Sequence, residues 1–484
     1  MKFNKKAIIC MIMILSMLLG GCGTSLGSSV KKVKLDPDNP TKVTIWHYYN
    51  GDQLEAFNKL IDEFNGSVGK KEGIYVEGSN FGTVNELKDS IGAAVKHRTG
   101  AEAIPNIFAG YADTVYEVDK LGYVVDLKEY LTQKEQDKYI KSYIEEGEFS
   151  GDGSLKIFPT AKSTEVFMLN KTDWNKFAEA TGADLNDLKT IEGVTKTAQA
   201  YYEWTDSQTK KKNDGKAFFG RDALANYFII GAKQLGTEIF SVKDGKVTLN
   251  FDKEIIRKIW DNYYVPFVKG YFAASGKFRS DDINTGNILS FVGSSAGATF
   301  FPDEVIVDDT RSYPIDMEVL EAPEFEGGED YAVQQGAGMA VTKTDEKQMY
   351  ASVQFLKWFT EDERNIQFSV ASGYLPVTKT ANDVKKIEET TDLTGDNELP
   401  IVKAAIDTVN HNTLYTTKAF EDGTDARNIL EYAMSDKASA DRKTVVKRLE
   451  KGESFDEAVK DFVNDSNFDT WYEATKAELE NLIK

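Results

Sequence analysis

The sequence predicts an α/β protein built as two lobes, and three observations carry that prediction. Short β-branched runs alternate with amphipathic helical segments from Val43 onward, the pattern of a sheet covered by helices. The chain has 484 residues, too many for one ordinary core. An extended stretch, LKIFPTAKSTEVFMLN, places Pro159 between two apolar segments and suits a crossing from one lobe to the other.

Fold reasoning starts after a leader. Lys2, Lys5 and Lys6 precede an apolar run from Ala7 to Leu19 broken only by Ser16, the layout of a secretory signal and too short for a comfortable membrane span. Leu19-Gly20-Gly21-Cys22 resembles the bacterial lipobox, whose cysteine is lipidated and becomes the new N-terminus; the alternative is an ordinary signal with an incidental cysteine. Residues 1–21 are therefore expected as a signal peptide. Residues 22–40, rich in Gly, Ser, Pro and Lys, are expected as a flexible tether from a lipid anchor at Cys22 on the outer face of the bacterial cell membrane.

Composition narrows the chemistry. Cys10 falls in the signal and Cys22 at its end, so the body has no thiol for a disulfide, a zinc site or a nucleophile. His47, His97 and His411 are widely spaced and match no metal-binding pattern, so neither metal nor cofactor is expected. A formal net charge of −20 disfavours nucleic acid and anionic membranes as partners.

The body opens with KVTIWHYYNGDQLEAFNKLIDEFN. Val43 and Ile45 alternate as in a strand, Asn50-Gly51 marks a turn, and Leu54, Phe57, Leu60, Ile61 and Phe64 recur at helical spacing. GIYVEGSN reads as a second strand, Leu87, Ile91 and Val95 mark a second helix, and IPNIFAGYADT a third strand. Such alternation implies a mostly parallel sheet, with ligands beyond the carboxyl ends of its strands, where Trp46, His47, Tyr48, Tyr111 and Asp113 stand. A more helical section runs from Trp174 to Phe272. Gly336-Ala337-Gly338 precede another strand, Met349, Val353, Leu356 and Phe359 mark a helix ended by Gly373, and the tail from Asp425 reads as helical. Lobe 1 is expected at 41–157 plus 330–371 and lobe 2 at 158–320 plus 376–484, with crossings near Pro159, Pro323 and Gly373.

FVGSSAG, residues 291–297, matches the G-x-S-x-G turn of α/β-hydrolases. A triad in their chain order would leave His411 as the only downstream base, no HGGG-like stretch is present, and Pro302 restricts the helix that should follow Ser295. We therefore read the corner as a ligand contact in which backbone N–H groups from Ser294 to Gly297 face a ligand oxygen. A glycoside hydrolase using two carboxylates stays open on composition.

Four segments in order, IWHYY…LEAFNKLIDEFN, NTGNILSFVGSSAG, GAGMAVTK with VQFLKWFTEDE, and SGYLPVTK, resemble the family 1 extracellular solute-binding proteins of bacterial ABC importers. The resemblance covers the chain after the tether. It implies a periplasmic-binding-protein-like fold with discontinuous lobes joined by hinge crossings. It also implies a monomer that binds a carbohydrate and hands it to membrane permease subunits, with no catalysis. Within the family, Ser294, Ser295, Ser163-Thr164, Gly336 and Tyr374 are similar to the glycerol-3-phosphate-binding branch. The phosphate-neutralising arginine of that branch falls at or near Glu421, Ala112 stands beside Asp113 in place of its glutamate, and Phe81 replaces a tyrosine. An acid opposite a phosphate is repulsive. A sugar or oligosaccharide is therefore the expected ligand, and glycerol 3-phosphate or a glycerophosphodiester the alternative, with Lys418 or Arg221 as substitute cations.

A sugar pocket needs aromatic plates for C–H faces and groups that donate and accept hydrogen bonds for the hydroxyls. The candidate plates are Trp46, Tyr48, Tyr111, Tyr227, Phe300 and Tyr374. The candidate polar groups are His47, Asp113, Lys162, Ser163, Asn226, Ser294 and Ser295, with Gly336 beside them. Trp358 is expected in the core, and the acidic runs DEVIVDD and EFEGGED as solvated loops.

Overall fold

The computed structural model describes residues 30–243, 245–391 and 398–484; Cys22 and the expected signal segment lie outside them. One lobe is built on a four-stranded sheet in the order Gly338–Val341, Ile107–Gly110, Thr41–His47, Ile74–Asn80. Thr41–His47 pairs in parallel with both neighbours, Val43 opposite Val76 and Ile45 opposite Ile107. The helices Gly51–Gly66 and Val84–Val95 return the chain to the same edge after each strand, as parallel pairing requires. Gly338–Val341 arrives later from the other direction and pairs antiparallel. Phe57, Leu60, Ile61 and Phe64 bury one face of the first helix in this lobe's core, with Trp358 and Phe359 of the helix Glu346–Phe359.

The other lobe carries the sheet Met317–Glu321, Glu165–Asn170, Ser290–Ser294, Phe219–Arg221. Here only the last pair is parallel, so the mostly parallel arrangement belongs to the first lobe alone. Glu165–Asn170 is buried along its whole length. Phe167 and Leu169 enter an aromatic-rich core with Tyr227, Trp260 and Trp471, while Val166 and Met168 enter a second cluster with Phe291 and Ile366. A strand with both faces covered reads as a continuous apolar run, without the alternation that marks a half-buried strand. The tail forms the helices Gly423–Glu450 and Asp465–Leu482, whose Leu430, Met434, Trp471 and Tyr472 complete the aromatic core.

Three passages between the lobes lie side by side. Phe158 bridges Met339, Ser163 bridges Gln335, and Lys162 bridges Leu375. Lys162 is fully buried between them, its Nζ donating to Glu146 Oε2 and to the Gly336 carbonyl, each at 2.6 Å. The passage expected at Pro323 falls instead at Gln335. Glu324, next to Pro323, is held within the second lobe, where its N–H donates to the Lys189 carbonyl at 3.1 Å and its carbonyl accepts from Ile191 at 2.9 Å. The end of the expected tether also differs, because Lys31 donates from its backbone to the Glu129 carbonyl at 2.8 Å and Leu35 packs on the first core.

A candidate ligand site between the lobes

A cavity of about 370 Å³ opens between the lobes. The first lobe contributes Asn85, Lys88, Tyr111, Asp113 and Glu146; the second contributes Asn226, Phe240, Tyr415, Phe420, Arg427 and Asn428; Gln334, Gln335 and Gly336 of the passage form its back. Local sequence explains the placement. Thr83 and Glu86 form a reciprocal capping box that starts the helix bearing Asn85 and Lys88. Tyr111 ends the strand Ile107–Gly110 and begins the helix Ala112–Lys120, so its ring and the Asp113 carboxylate both lie at a strand's carboxyl end. Across the cavity, Gly423, Thr424, Arg427 and Asn428 share one face of the first turns of a helix. Ala223, also on the wall, holds φ 48°, a left-handed conformation uncommon outside glycine.

Behind Asn226 and Arg427 of the cavity wall runs a charged network. Glu165 pairs with Arg221 and accepts from Asn226 Nδ2 at 3.0 Å, and Asn226 Oδ1 accepts from Arg427 Nη2 at 2.7 Å. Burial pushes the Glu165 carboxyl above the usual carboxylate range, against the opposing pull of Arg221. Arg221, one of the two substitute cations, is thus committed to Glu165, and its guanidinium lies 5.3 Å over the Tyr227 ring. Lys418, the other, is exposed and does not line the cavity. Arg427 supplies the free-facing cation instead.

The lobes meet at Asp113. Burial raises its carboxyl to about 6, although Arg427 and Lys88 pull the other way. A Cβ at Gly423 would stand 2.7 Å from Asp113 Oδ1, so the carboxylate rests on backbone that only glycine leaves open. Lys120 pairs with Glu421 at 2.9 Å beside it, so the residue aligned with a phosphate-binding arginine faces a lysine of the other lobe.

The structure gathers Tyr48, Tyr111 and Tyr374 near one another. Burial, with Tyr374 and Tyr111 close by, pushes the Tyr48 hydroxyl upward, whereas the Tyr111 ring is 40% exposed. The Tyr374 ring lies 3.3 Å from where a Gly336 Cβ would be, and Gly336 holds φ 94°. Asp113, Asn226 and Gly336 line the cavity, and Lys162 and Ser163 lie behind it as support.

Other candidates fall elsewhere. Trp46 is buried with its ring centroid 4.1 Å from that of Phe81. His47 is 1% exposed; its Nδ1 accepts from the Tyr49 N–H at 3.2 Å, and burial lowers it to about 4, so the ring is a neutral core group. Tyr227 sits in the aromatic core and donates to the Ile259 carbonyl at 3.1 Å. Phe300 is exposed and lines no part of the cavity. The Ser294–Gly297 corner does not offer its amides as expected: Ser295 N–H donates to the Thr164 carbonyl at 2.8 Å, and Ala296 N–H to Ser294 Oγ at 3.3 Å. Ser295 Oγ donates to the Gly373 carbonyl at 3.4 Å. No histidine reaches it, since His47 is in the first core, His97 meets Tyr123 Oη and His411 faces Glu321. The nucleophile geometry is not assembled.

Sequence reasoning missed Arg427, Asn428, Asn85 and the glutamines 334–335. The i, i+1, i+4, i+5 polar face opening the helix at Gly423 was the available signal for the first two. Among the described residues no helix is long and apolar enough to cross a membrane, and no group of three His, Cys, Asp or Glu could hold a metal.

A family model described as bacterial extracellular solute-binding protein matches residues 59–395. The chain belongs to that family. Several solved structures share the fold of this solute-binding protein. The cyclic α-maltosyl-1,6-maltose binding protein of Arthrobacter globiformis is similar at TM-score 0.67 and 18% identity, covering 92% of this chain and 100% of its own. UgpB of Mycobacterium tuberculosis, in complex with glycerophosphocholine, is similar at TM-score 0.66 and 17% identity, covering 92% and 99%. The maltotriose binding protein of Thermus thermophilus is similar at TM-score 0.58 and 16% identity, covering 91% and 100%. All are two-lobed folds of the same type. Comparison with curated protein sequences gives no match.

Proposed function

We propose that this solute-binding protein captures a sugar or oligosaccharide between its lobes and delivers it to a bacterial ABC importer. The observation that carries the reading is the interlobe cavity itself. It presents aromatic rings from both sides, Tyr111 opposite Phe240, Tyr415 and Phe420, among the amides of Asn85, Asn226, Gln334, Gln335 and Asn428. Rings cover C–H faces, and amides donate and accept at a hydroxyl rim. A volume of about 370 Å³ lies in the range of small-molecule sites. Two neighbours in fold carry maltose-type names, which agrees with the reading.

The mechanism needs no bond chemistry. A ligand that contacts both walls binds the closed arrangement better than an open one, and that difference in affinity drives closure. The side-by-side passages at Lys162, Gln335 and Leu375 are the hinge about which it occurs. A lipid on Cys22 would keep the protein, acting as a monomer, at the outer membrane face beside its permease.

Arg427 favours a second reading, a glycerophosphodiester, because a guanidinium on the wall matches a phosphate. Thermal unfolding against sugars, oligosaccharides, glycerol phosphates and glycerophosphodiesters decides. A ligand at a hundred times its Kd adds about 2.7 kcal/mol. A shift with glycans alone supports the first reading, a shift with phosphodiesters alone supports the second, and silence with turnover of esters or glycosides overturns both.

A further inference from the structure

The second lobe contains another groove, of about 600 Å³, that shares no residue with the interlobe cavity. Its walls include Lys216, Arg442 and Lys443, and no Asp or Glu lines it. In a chain of net charge −20 this is a local reversal of sign. None of the three cations joins an ion pair among the described residues, whereas Lys437 and Arg448 of the same helix both do.

Arg442 is held in place. Its Nη1 donates to the Val268 carbonyl at 3.2 Å, and its Nη2 lies 2.3 Å from where a Cβ on Gly270 would be, so glycine with φ 88° is what admits the guanidinium. Burial holds its pKa below the usual arginine value, and the groups acting against that are the phenol hydroxyls of Tyr202 and Tyr271, with no carboxylate. Asp206 and Asp214 stand beyond Tyr202 and bond to each other's neighbourhood, Asp214 N–H to Asp206 Oδ1 at 2.7 Å; neither lines the groove. A partly desolvated cation without an acid is unfavourable unless something anionic completes it.

The rest of the groove describes the remainder of the ligand. Its volume far exceeds an inorganic ion, Phe272, Val305 and Val307 offer an apolar wall, and Ser275 and Asn287 offer hydrogen bonds. Three cations lining one groove match a phosphate better than a single carboxylate. We propose that this groove is a second binding site, for a phosphate ester with an organic body, the phosphate seated on Arg442 with Lys443 and Lys216. Free phosphate esters and lipid headgroups share that chemistry.

The test is titration of the full chain with α-glycerophosphate, with inorganic phosphate as competitor, and co-sedimentation with phosphatidylglycerol against phosphatidylcholine vesicles. The expected result is binding that K216E/K443E and Arg442→Gln weaken roughly tenfold or more, that salt weakens, and that Arg427→Gln leaves in place. Binding of the free ester identifies a soluble source; vesicle binding alone, lost in K216E/K443E, identifies a headgroup. If Arg442→Gln loses its circular dichroism, the exposed double-lysine variant decides. No binding to either probe overturns the proposal and leaves the interlobe reading as it was; binding lost in Arg427→Gln and kept in K216E/K443E overturns it too, and assigns the ester to the interlobe cavity.

Discussion

Arg427 donates from Nη2 to Asn226 Oδ1 at 2.7 Å, and Asn226 in turn donates from Nδ2 to Glu165 Oε1 at 3.0 Å. An arginine on the wall of the interlobe cavity is thereby aimed by a residue that the buried Glu165–Arg221 pair holds still. In the proposed reading Asn226 is a positioning residue and Arg427 the group that meets the ligand.

Arg427→Gln should weaken the cleft ligand roughly tenfold to a hundredfold, the range for a charge-assisted hydrogen bond. Glu165 keeps Arg221, so folding should survive. Calorimetric titration with whichever ligand the thermal panel identifies, beside a melting curve, checks both halves. An unchanged affinity would remove Arg427 from the site.

Lys162→Met should destabilise the protein by about 3–5 kcal/mol, because it leaves Glu146 buried without its cation. Both partners are nearly inaccessible, at 1% and 7% side-chain exposure. Adding Glu146→Leu should recover much of the loss. Denaturant unfolding of the single and double variants measures the coupling; equal losses in both would show that the pair matters only through packing.

Gly336→Ala should cost about 1–3 kcal/mol from its left-handed backbone alone. A Cβ there would also press to 3.0 Å of the Ala161 carbonyl and 3.1 Å of Lys162 Cα. Since this is the point where the passages touch, ligand-driven closure should weaken along with stability. Small-angle scattering with and without ligand reads the closure.

Glu324 carries a pH signature. Burial first, then Asp330 and Glu321, raise its carboxyl to about 7. Between its ordinary value of 4.5 and about 7 the folded state binds more protons than the unfolded chain, so this group's contribution falls as pH rises through that window. Glu324→Gln keeps an acceptor for Asn412, which donates at 2.8 Å, and should gain Tm relative to the parent at pH 8 but not at pH 4. A pH-independent difference would assign the raised carboxyl no part in stability.

Much of the first lobe was legible because its signals are local. Val43 and Ile45 alternate, Phe57 to Phe64 recur at helical spacing, and the order of strand and helix forces parallel pairing. The strand Glu165–Asn170 was less legible because two cores cover it and remove the alternation that marks a half-buried strand. The site split the same way. Tyr111 and Asp113, which line the cavity, were legible because the end of a parallel strand is a predictable place. Trp46 and His47 share that address, yet the pleat turns the one onto Phe81 and the other into the core. Arg427 was passed over because it lies six residues beyond the aligned Glu421, and alignment by motif cannot register which face of a helix meets a cleft.

By itself, the sequence determined the family, the alternation of strands and helices, and the absence of thiol chemistry from the body, since composition and periodicity are properties of neighbours along the chain. The tertiary structure alone decided that Arg221 is consumed by Glu165, that the Ser295 and Ala296 amides are already bonded, and that Arg427 faces Asp113 across a cavity. Those facts depend on contacts between residues up to some three hundred positions apart, and only packing, which excludes water and forces each buried polar group to find a partner, settles which of them meet.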